Sequence, residues 1–173
     1  EEPRETQITV PTVDDLQGFK KLRLDALQQD PSAFGSSYVK EVSRTDEEWK
    51  AWLEKSLGEK PQEILLLAKD GEKYVGMIGS APKDEKRWKI KAVYVTPEYR
   101  GKGVSKKLLE QVLRRIDANK NIEEIELSVN TNAAAAVNLY KQFGFEIQDT
   151  IQDYTFGDGK QYDKYEMLRV RSV

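Results

Sequence analysis

The sequence contains neither cysteine nor histidine among its 173 residues. A chain without cysteine has no disulfide and no thiolate nucleophile, and the two absences together remove the usual ligands of zinc. The absence of histidine also excludes every catalytic triad that relays a proton through imidazole. We therefore expect no metal site, and any chemistry must use carboxylates, tyrosine, hydroxyls, lysine or backbone dipoles.

Long apolar runs and an excess of one charge are lacking as well. No stretch approaches the ~18 apolar residues of a transmembrane helix, and no basic-then-apolar leader opens the sequence. The 28 Lys and Arg residues nearly balance the 30 Asp and Glu residues, whereas nucleic-acid-binding domains are usually basic. These features favour a cytoplasmic protein that binds neither a membrane nor nucleic acid.

The length and the spacing of apolar residues predict a single α/β domain over residues 7–171. Thr12 with Asp15, and Thr45 with Glu48, resemble capping boxes at the starts of two helices. Later helices are predicted from about Gly103 to Asn119 and from Ala133 to Phe143, the second with Asn132 as its N-cap. Strands are predicted at Gln7 to Val10, Glu63 to Lys69, Tyr74 to Ala81, Trp88 to Thr96, Glu124 to Val129, Phe145 to Phe156 and Tyr162 to Val170.

Residues 93–109 carry the most informative pattern, in which an apolar strand passes through a glycine-rich turn directly into an amphipathic helix. Free N–H groups and the macrodipole at a helix N-terminus suit a phosphate or pyrophosphate. Gly101 and Gly103 allow the backbone to approach such an anion closely. Lys102, Lys106 and Lys107 add positive charge, so the turn is predicted to bind a phosphorylated ligand.

Three types of phosphate-binding turn can be compared with this segment. The Walker pattern G-x-x-x-x-G-K-[ST] does not occur in the sequence. A Rossmann turn would need a third glycine where Lys106 stands, and this turn follows an antiparallel hairpin rather than opening a βαβ unit. The third pattern, [R/Q]-x-x-G-x-[G/A], fits residues 100–105 and resembles the acetyl-CoA signature of the GNAT N-acetyltransferase superfamily. Ser105 departs from the usual Gly or Ala at the last position.

Two further segments carry the same resemblance. Residues 135–145, AAVNLYKQFGF, are similar to the family segment A-A-[IV]-x-L-Y-x-x-x-G-F. Residues 22–27 and 31–37, LRLDAL and PSAFGSS, resemble the N-terminal helical region of a group of bacterial GNAT enzymes. The predicted element order also matches the family from residue 7 to about 170. The resemblance therefore implies the GNAT fold, a mixed and mostly antiparallel sheet of about seven strands flanked by about four helices.

The resemblance implies transfer of an acetyl group from the co-substrate acetyl-CoA to a primary amine in a ternary complex. Tyr140 matches the family's general acid, which protonates the leaving thiolate. A non-catalytic acyl-CoA sensor on the same fold is the alternative function. The alternative interpretation of Tyr140 is a core residue of its amphipathic helix. The residues implied to bind the coenzyme are Val93, Tyr94, Val95, Arg100, Gly101, Lys102, Gly103, Val104, Ser105, Lys106 and Asn132. Asn130 and Asn138 stay open as alternatives to Asn132.

The amine acceptor and the general base are predicted less directly. A carboxylate acting through water could deprotonate the amine, and Glu41 and Glu126 are the candidates. The alternative is a chain of water molecules that carries the proton without any one side chain acting as base. Segments 30–41 and 149–165 are expected to select the acceptor, a small molecule or a peptide. The second segment mixes aspartates with aromatic residues, which favours a cationic amine. The family resemblance leaves a monomer and a homodimer both open.

Overall fold

The structure, a computed structural model, describes residues 5–171 and contains one seven-stranded sheet in that range. The strand order is β1-β2-β3-β4-β5-β7-β6. Every neighbouring pair is antiparallel except β4 and β5, which run parallel. The strands are β1 Gln7–Thr9, β2 Ile64–Asp70, β3 Lys73–Pro82, β4 Arg87–Val95, β5 Glu124–Asn130, β6 Glu146–Thr155 and β7 Gln161–Val170.

Five α-helices flank this sheet within the described range, one more than the sequence predicted. The additional helix is the single turn α2, which is too short to leave a periodic apolar pattern. None of the helices in residues 5–171 has the length and hydropathy needed to cross a membrane. The helices are α1 Leu16–Gln29, α2 Tyr38–Glu41, α3 Asp46–Glu54, α4 Val104–Asp117 and α5 Ala134–Gln142.

The helix starts are only partly as predicted. Thr12 and Asp15 form the expected capping box, which opens a short 3-10 turn ahead of α1. The Thr45 hydroxyl accepts the Glu48 N–H at 3.2 Å, so the predicted cap of α3 is confirmed. The predicted cap of α5 at Asn132 is wrong, because Ala133 occupies the cap position and offers no side-chain acceptor.

The sheet separates two apolar cores, one on each face. Helix α4 packs on one face through residues such as Leu108 and Val112, which are fully buried. Helices α1 and α3 pack on the other face, where Phe19 and Trp49 are buried. Strand β2 contributes to both cores in alternation, which explains its uninterrupted apolar sequence.

Strands β4 and β5 separate partway along their length, and the candidate site lies in the gap between them. Their pairing is confined to Arg87–Lys89 against Glu124–Glu126. On the other side of β4, Tyr94 pairs with Met77 but Lys91 pairs with Gly79, so β4 carries one extra residue. Ala92 lies in this bulge with φ of 59°. Because a bulge bends its strand and increases the local twist, β4 turns away from β5 there.

Candidate active site

A cleft of about 1350 Å³ opens where β4 and β5 diverge. The first turns of α4 and α5 border one part of it, and the loop at 32–36, helix α3 and strand β6 border the other. Its lining includes Tyr140, Glu41 and every residue implied to bind the coenzyme except Lys102, but it does not include the second candidate base, Glu126. We call the part beside α4 and α5 the coenzyme half and the part beside α3 and the 32–36 loop the acceptor half.

The glycine-rich turn has the backbone conformation of an anion-binding helix start. Gly101 and Gly103 adopt φ values of 75° and 81°, which glycine reaches without strain. A Cβ atom at either position would meet nothing within 4 Å, so conformation rather than space requires glycine. The helical ladder begins with the Lys107 N–H donating to the Gly103 carbonyl at 3.1 Å. The N–H groups of residues 104–106 precede this ladder and are available to a ligand.

The side chains of this turn differ in where they point. Lys106 and Ser105 line the cleft. Lys102 instead lies over the ring of Tyr99, with Nζ 5.2 Å from the ring centroid, and is absent from the lining. The Arg100 Nε–H donates to the Val95 carbonyl at 3.0 Å, so Arg100 ties the turn to the end of β4.

Tyr99 anchors the same turn from outside the cleft. Its hydroxyl donates to the Asp70 carboxylate at the β2–β3 hairpin, and this bond raises the pKa of Tyr99. The sequence analysis did not identify this contact, because the two residues lie 29 positions apart. The hairpin and the glycine-rich turn are thereby joined at one point.

The register of β4 directs one backbone N–H into the gap. The Thr96 N–H donates to the Val75 carbonyl at 2.9 Å, which makes Val95 and Gly76 a non-hydrogen-bonded pair. The N–H and C=O of Val95 therefore point away from β3 and toward the gap. Its C=O accepts Arg100, while its N–H faces the cleft.

Tyr140 reaches the cleft from α5 and is otherwise enclosed. The residue is 7% exposed, and its ring packs edge-on against Phe145 with centroids 6.0 Å apart. Burial raises the pKa of Tyr140 to about 12, because the phenolate loses hydration there. Tyr140 is thus a core residue whose hydroxyl stays protonated at neutral pH.

Three asparagines were open as coenzyme contacts, and they occupy different surroundings. Asn132 lines the cleft with an exposed side chain, whereas Asn138 is exposed outside it. Asn130 is buried and holds two loops together: its Nδ2 donates to the Ser32 carbonyl at 3.1 Å, and its Oδ1 accepts the Asn132 N–H at 2.9 Å. Asn130 therefore positions Asn132 and the 32–36 loop.

Comparison with known proteins assigns the chain to a family. The model of the acetyltransferase (GNAT) family matches residues 24–145, a span that contains the parted strands, the glycine-rich turn and Tyr140. The chain belongs to the GNAT family.

Individual relatives match more narrowly in sequence and more broadly in fold. The L-amino acid N-acetyltransferase AaaT of Escherichia coli (strain K12) is 32% identical over 79 residues, which are 46% of this chain and 49% of that protein. The chain thus spans about half the length of this curated relative. A GNAT-family acetyltransferase structure from Streptococcus pneumoniae superimposes with a TM-score of 0.82 at 24% identity, covering 96% of this chain and 100% of that one. The spermidine N-acetyltransferase of Vibrio cholerae in complex with CoA and spermine gives 0.76 at 18% identity, over 97% and 96% of the two chains. These two structures show the fold alone.

In this GNAT fold, Glu41 lies in a buried ion pair with Arg23. It is 1% exposed, and both carboxylate oxygens accept from Arg23, at 3.0 Å from Nε and 2.9 Å from Nη2. Burial alone would raise the pKa of Glu41, but the hydrogen bonds and charge of Arg23 and the charge of Arg44 lower it on balance. A carboxylate so occupied is a poor proton acceptor, so we assign Glu41 to holding Arg23 and correct its expected role as base.

Glu126, unlike Glu41, does not line the cleft. It sits on β5 where that strand still pairs with β4, and it forms ion pairs with Lys83 at 2.8 Å and Arg87 at 3.5 Å. The cleft lining begins only at the next residue, Leu127. Glu126 therefore lies on the part of β5 that still pairs with β4, before the two strands separate.

The two segments expected to select the acceptor do meet. The Gly157 N–H donates to the Phe34 carbonyl at 2.7 Å, which closes the β6–β7 hairpin over the 32–36 loop. Tyr154 and Phe156 line the acceptor half, but Asp149, Asp153, Asp158 and Asp163 do not. Asp158 binds the Tyr162 hydroxyl at 2.7 Å, and Asp163 accepts the Asp153 N–H at 3.1 Å. The expected acidic lining is therefore wrong, because these aspartates stabilise the hairpin itself.

Proposed function

We propose that this chain transfers the acetyl group of acetyl-CoA directly to a primary amine in a ternary complex. The nitrogen of the neutral amine attacks the thioester carbonyl carbon, and a tetrahedral oxyanion forms. When the oxyanion collapses, the carbon–sulfur bond breaks and the sulfur leaves with the electron pair. The products are an N-acetylated amine and CoA, after one proton has left the nitrogen and one has reached the sulfur. Family membership and the cleft geometry support this assignment.

The coenzyme half supplies the elements needed to hold acetyl-CoA. The pyrophosphate lies against the first-turn N–H groups of α4, with Lys106 and Arg100 nearby and the positive end of the macrodipole behind them. The pantetheine arm occupies the gap beside β4, where it binds the unpaired backbone of residues 93–95 in the manner of an added strand. Asn132 contacts the coenzyme from the start of α5. The CoA-bound neighbour from Vibrio cholerae shares this fold.

The Val95 N–H and the Tyr140 hydroxyl perform the two polar tasks of the reaction. The Val95 N–H donates to the thioester oxygen and stabilises the oxyanion, because a fixed backbone dipole needs no reorganisation at the moment of attack. Tyr140 donates its proton to the leaving sulfur. Since its pKa is about 12, the phenol holds that proton throughout the neutral range.

Deprotonation of the amine falls to water in this arrangement. An alkylamine has a pKa near 10.4, so it must lose a proton before it attacks. Glu41 has both oxygens bound to Arg23, and Glu126 is outside the cleft. Waters in the open cleft carry the proton to solvent, which requires no dedicated carboxylate.

The observation that carries the proposal is the N–H of Val95 facing a gap that is also lined by Tyr140 and by the first turn of α4. The first test is calorimetric titration with acetyl-CoA, with ATP as control, followed by assay of CoA release with a panel of amines. Binding of acetyl-CoA together with turnover of any amine supports the proposal. Absence of acetyl-CoA binding refutes it.

A Tyr140→Phe variant separates the enzyme from a non-catalytic sensor. Removing the hydroxyl deletes the proton donor but keeps the ring against Phe145. We expect kcat to fall by about 10²- to 10⁴-fold, the range for general acid catalysis, with the Kd for acetyl-CoA nearly unchanged. An unchanged turnover would remove Tyr140 from the mechanism. A wild-type chain that binds acetyl-CoA but acetylates no amine would favour the sensor.

A further inference from the structure

Basic side chains outnumber acidic ones in the acceptor half of the cleft. A site for a purely cationic acceptor would have the opposite balance. The acidic side chains of the acceptor half are Glu41, Glu48 and Glu63, while a fourth acidic residue of the cleft, Asp30, pairs with Arg100 of the coenzyme half at 3.6 Å. The basic side chains of the acceptor half are twice as numerous, namely Arg23, Arg44, Lys55, Lys89, Lys91 and Lys164. A site with this balance attracts an anionic group and repels a polycation.

Arg23 is the most enclosed of these cations and is only partly satisfied. Its side chain is 9% exposed, and Glu41 binds Nε and Nη2 but leaves Nη1 without a hydrogen-bond partner. The guanidinium lies between two rings, 5.1 Å from the Phe34 centroid and 5.4 Å from the Trp52 centroid. Such a stack fixes the plane of the guanidinium and holds its charge at the wall of the cleft.

Arg44 stands beside this group and has no ion-pair partner among the carboxylates of residues 5–171. Its guanidinium lies 5.6 Å from the ring centroids of both Trp49 and Trp52. The charge of Arg44 also acts on Glu41 through space, but only Arg23 is within ion-pair distance of that carboxylate. A second carboxylate would complete the pairing, and the protein itself does not supply it within the described residues.

Contacts between the β6–β7 hairpin and the 32–36 loop also cover the acceptor half on one side. The Gly157 backbone lies so close to the 32–36 loop that a Cβ atom there would be 2.0 Å from the Ser36 carbonyl oxygen. The same loop is tied to β5 by the Asn130 side chain, which donates to Ser32 at 3.1 Å. A pocket roofed by backbone contacts admits a small molecule more readily than the surface of a folded protein.

From this geometry we infer that the amine acceptor is a small molecule that also carries a carboxylate, such as an α-amino acid, and that Arg44 and the free Nη1 of Arg23 bind this carboxylate. This inference rests on the proposed acetyl transfer. Both guanidinium groups lie close to the Trp52 ring, at 5.4 Å and 5.6 Å from its centroid, and that ring forms an apolar wall for the acceptor's side chain. The acceptor amine is then left to reach the thioester at β4.

The test compares matched acceptors. L-Amino acids and their carboxamides are assayed in pairs with acetyl-CoA, and spermidine is included as a polyamine. We expect kcat/KM for the acids to exceed that for the amides by about 10- to 100-fold, since a hydrogen-bonded charge pair contributes that much. An equal or better rate with amides or spermidine would overturn the inference while leaving acetyl transfer intact. If acetyl-CoA binds but no amine is acetylated, the proposed function fails and the inference fails with it.

Three variants locate the preference at Arg44. We expect Arg44→Gln to lose most of the preference for acids, chiefly through KM, and Arg44→Lys to retain part of it because the charge remains. Turnover of the amides should change little in either variant, which shows that the fold is intact. Arg114→Gln makes the same substitution on the exposed face of α4 and should behave as wild type. A loss that is equal for acids and amides in Arg44→Gln would assign Arg44 a merely structural role.

A binding measurement checks the same inference without turnover. L-Amino acids are titrated calorimetrically into the protein saturated with CoA, and the titration is repeated with the Arg44→Gln variant. Binding that weakens about tenfold or more in the variant, and that weakens with salt, supports the carboxylate contact. Binding that is unaffected by the substitution would overturn it.

Discussion

A Gly157→Ala substitution tests whether the β6–β7 hairpin forms a fixed roof over the acceptor half. Gly157 donates its N–H to the Phe34 carbonyl at 2.7 Å. An added methyl group would lie 2.0 Å from the Ser36 carbonyl oxygen and 3.2 Å from that of Phe34. Because both neighbours are backbone atoms, no side chain can rotate to make room. The hairpin tip must move away, and the hydrogen bond is lost with that movement.

The expected loss of unfolding free energy is the sum of these two effects. The lost hydrogen bond contributes about 1 kcal/mol, and relief of the overlap adds about 1 to 2 kcal/mol. For a domain of this size the Tm would then fall by about 4 to 12 °C. The acceptor half loses its roof, so we expect KM for the acceptor to rise at least about tenfold. The glycine-rich turn belongs to the other half, so the Kd for acetyl-CoA should change less than about twofold.

Thermal unfolding, acceptor kinetics and calorimetric titration with acetyl-CoA measure these three quantities. Gly159→Ala is the matched control, because it lies in the same hairpin at φ of 76° with nothing within 4 Å of its Cβ position. It should cost about 1 kcal/mol through backbone strain alone and leave the acceptor KM unchanged. If Gly157→Ala had a wild-type Tm and acceptor KM, the contact between the hairpin and the 32–36 loop would not define the acceptor pocket.

Two further substitutions test the turn and the buried ion pair. Gly103→Ala forces φ of 81° on alanine, so we expect a Kd for acetyl-CoA raised about five- to tenfold by calorimetry; Gly58→Ala, with φ of 95° away from the cleft, should cost similar stability without changing that Kd. Glu41→Gln leaves Arg23 buried without its counter-charge and should lower the unfolding free energy by about 3 to 5 kcal/mol at pH 7. Because the folded-state pKa of Glu41 is lowered, the pair stabilises the protein fully above the unfolded pKa of about 4.3 and less as the pH falls below it. Denaturant unfolding should therefore show the two proteins converging below about pH 4, and a difference independent of pH would contradict this account.

Local patterns predicted the elements that depend on neighbouring residues. The capping box at Thr12, the helix cap at Thr45 and the helix after the glycine-rich turn all appear in the structure. These features arise from contacts three or four positions apart, which the sequence displays directly. The glycine-rich turn could be predicted for the same reason, because its residues are also neighbours in the sequence.

The acceptor half could not be predicted in this way. Aspartates interleaved with aromatic residues indicated an acidic lining, but strand register turned the Asp163 carboxylate toward the backbone N–H of Asp153. Glu41 was a candidate base, whereas tertiary packing buried it in an ion pair with Arg23. Sequence spacing does not encode which face of a strand meets which loop, so the sign of the charge in the pocket was misjudged.

The sequence by itself therefore determined the order of the elements and the glycine-rich turn, because short-range spacing specifies them, and its motifs carried the resemblance to the GNAT family. Only the tertiary structure decided that β4 and β5 separate after Lys89, that Val95 directs its N–H into the gap, and that basic side chains outnumber acidic ones in the acceptor half. Each of these depends on a bulge, a register or a packing contact between distant segments. Such relations come into being when the chain folds, since they are set by the balance of packing over the whole sheet.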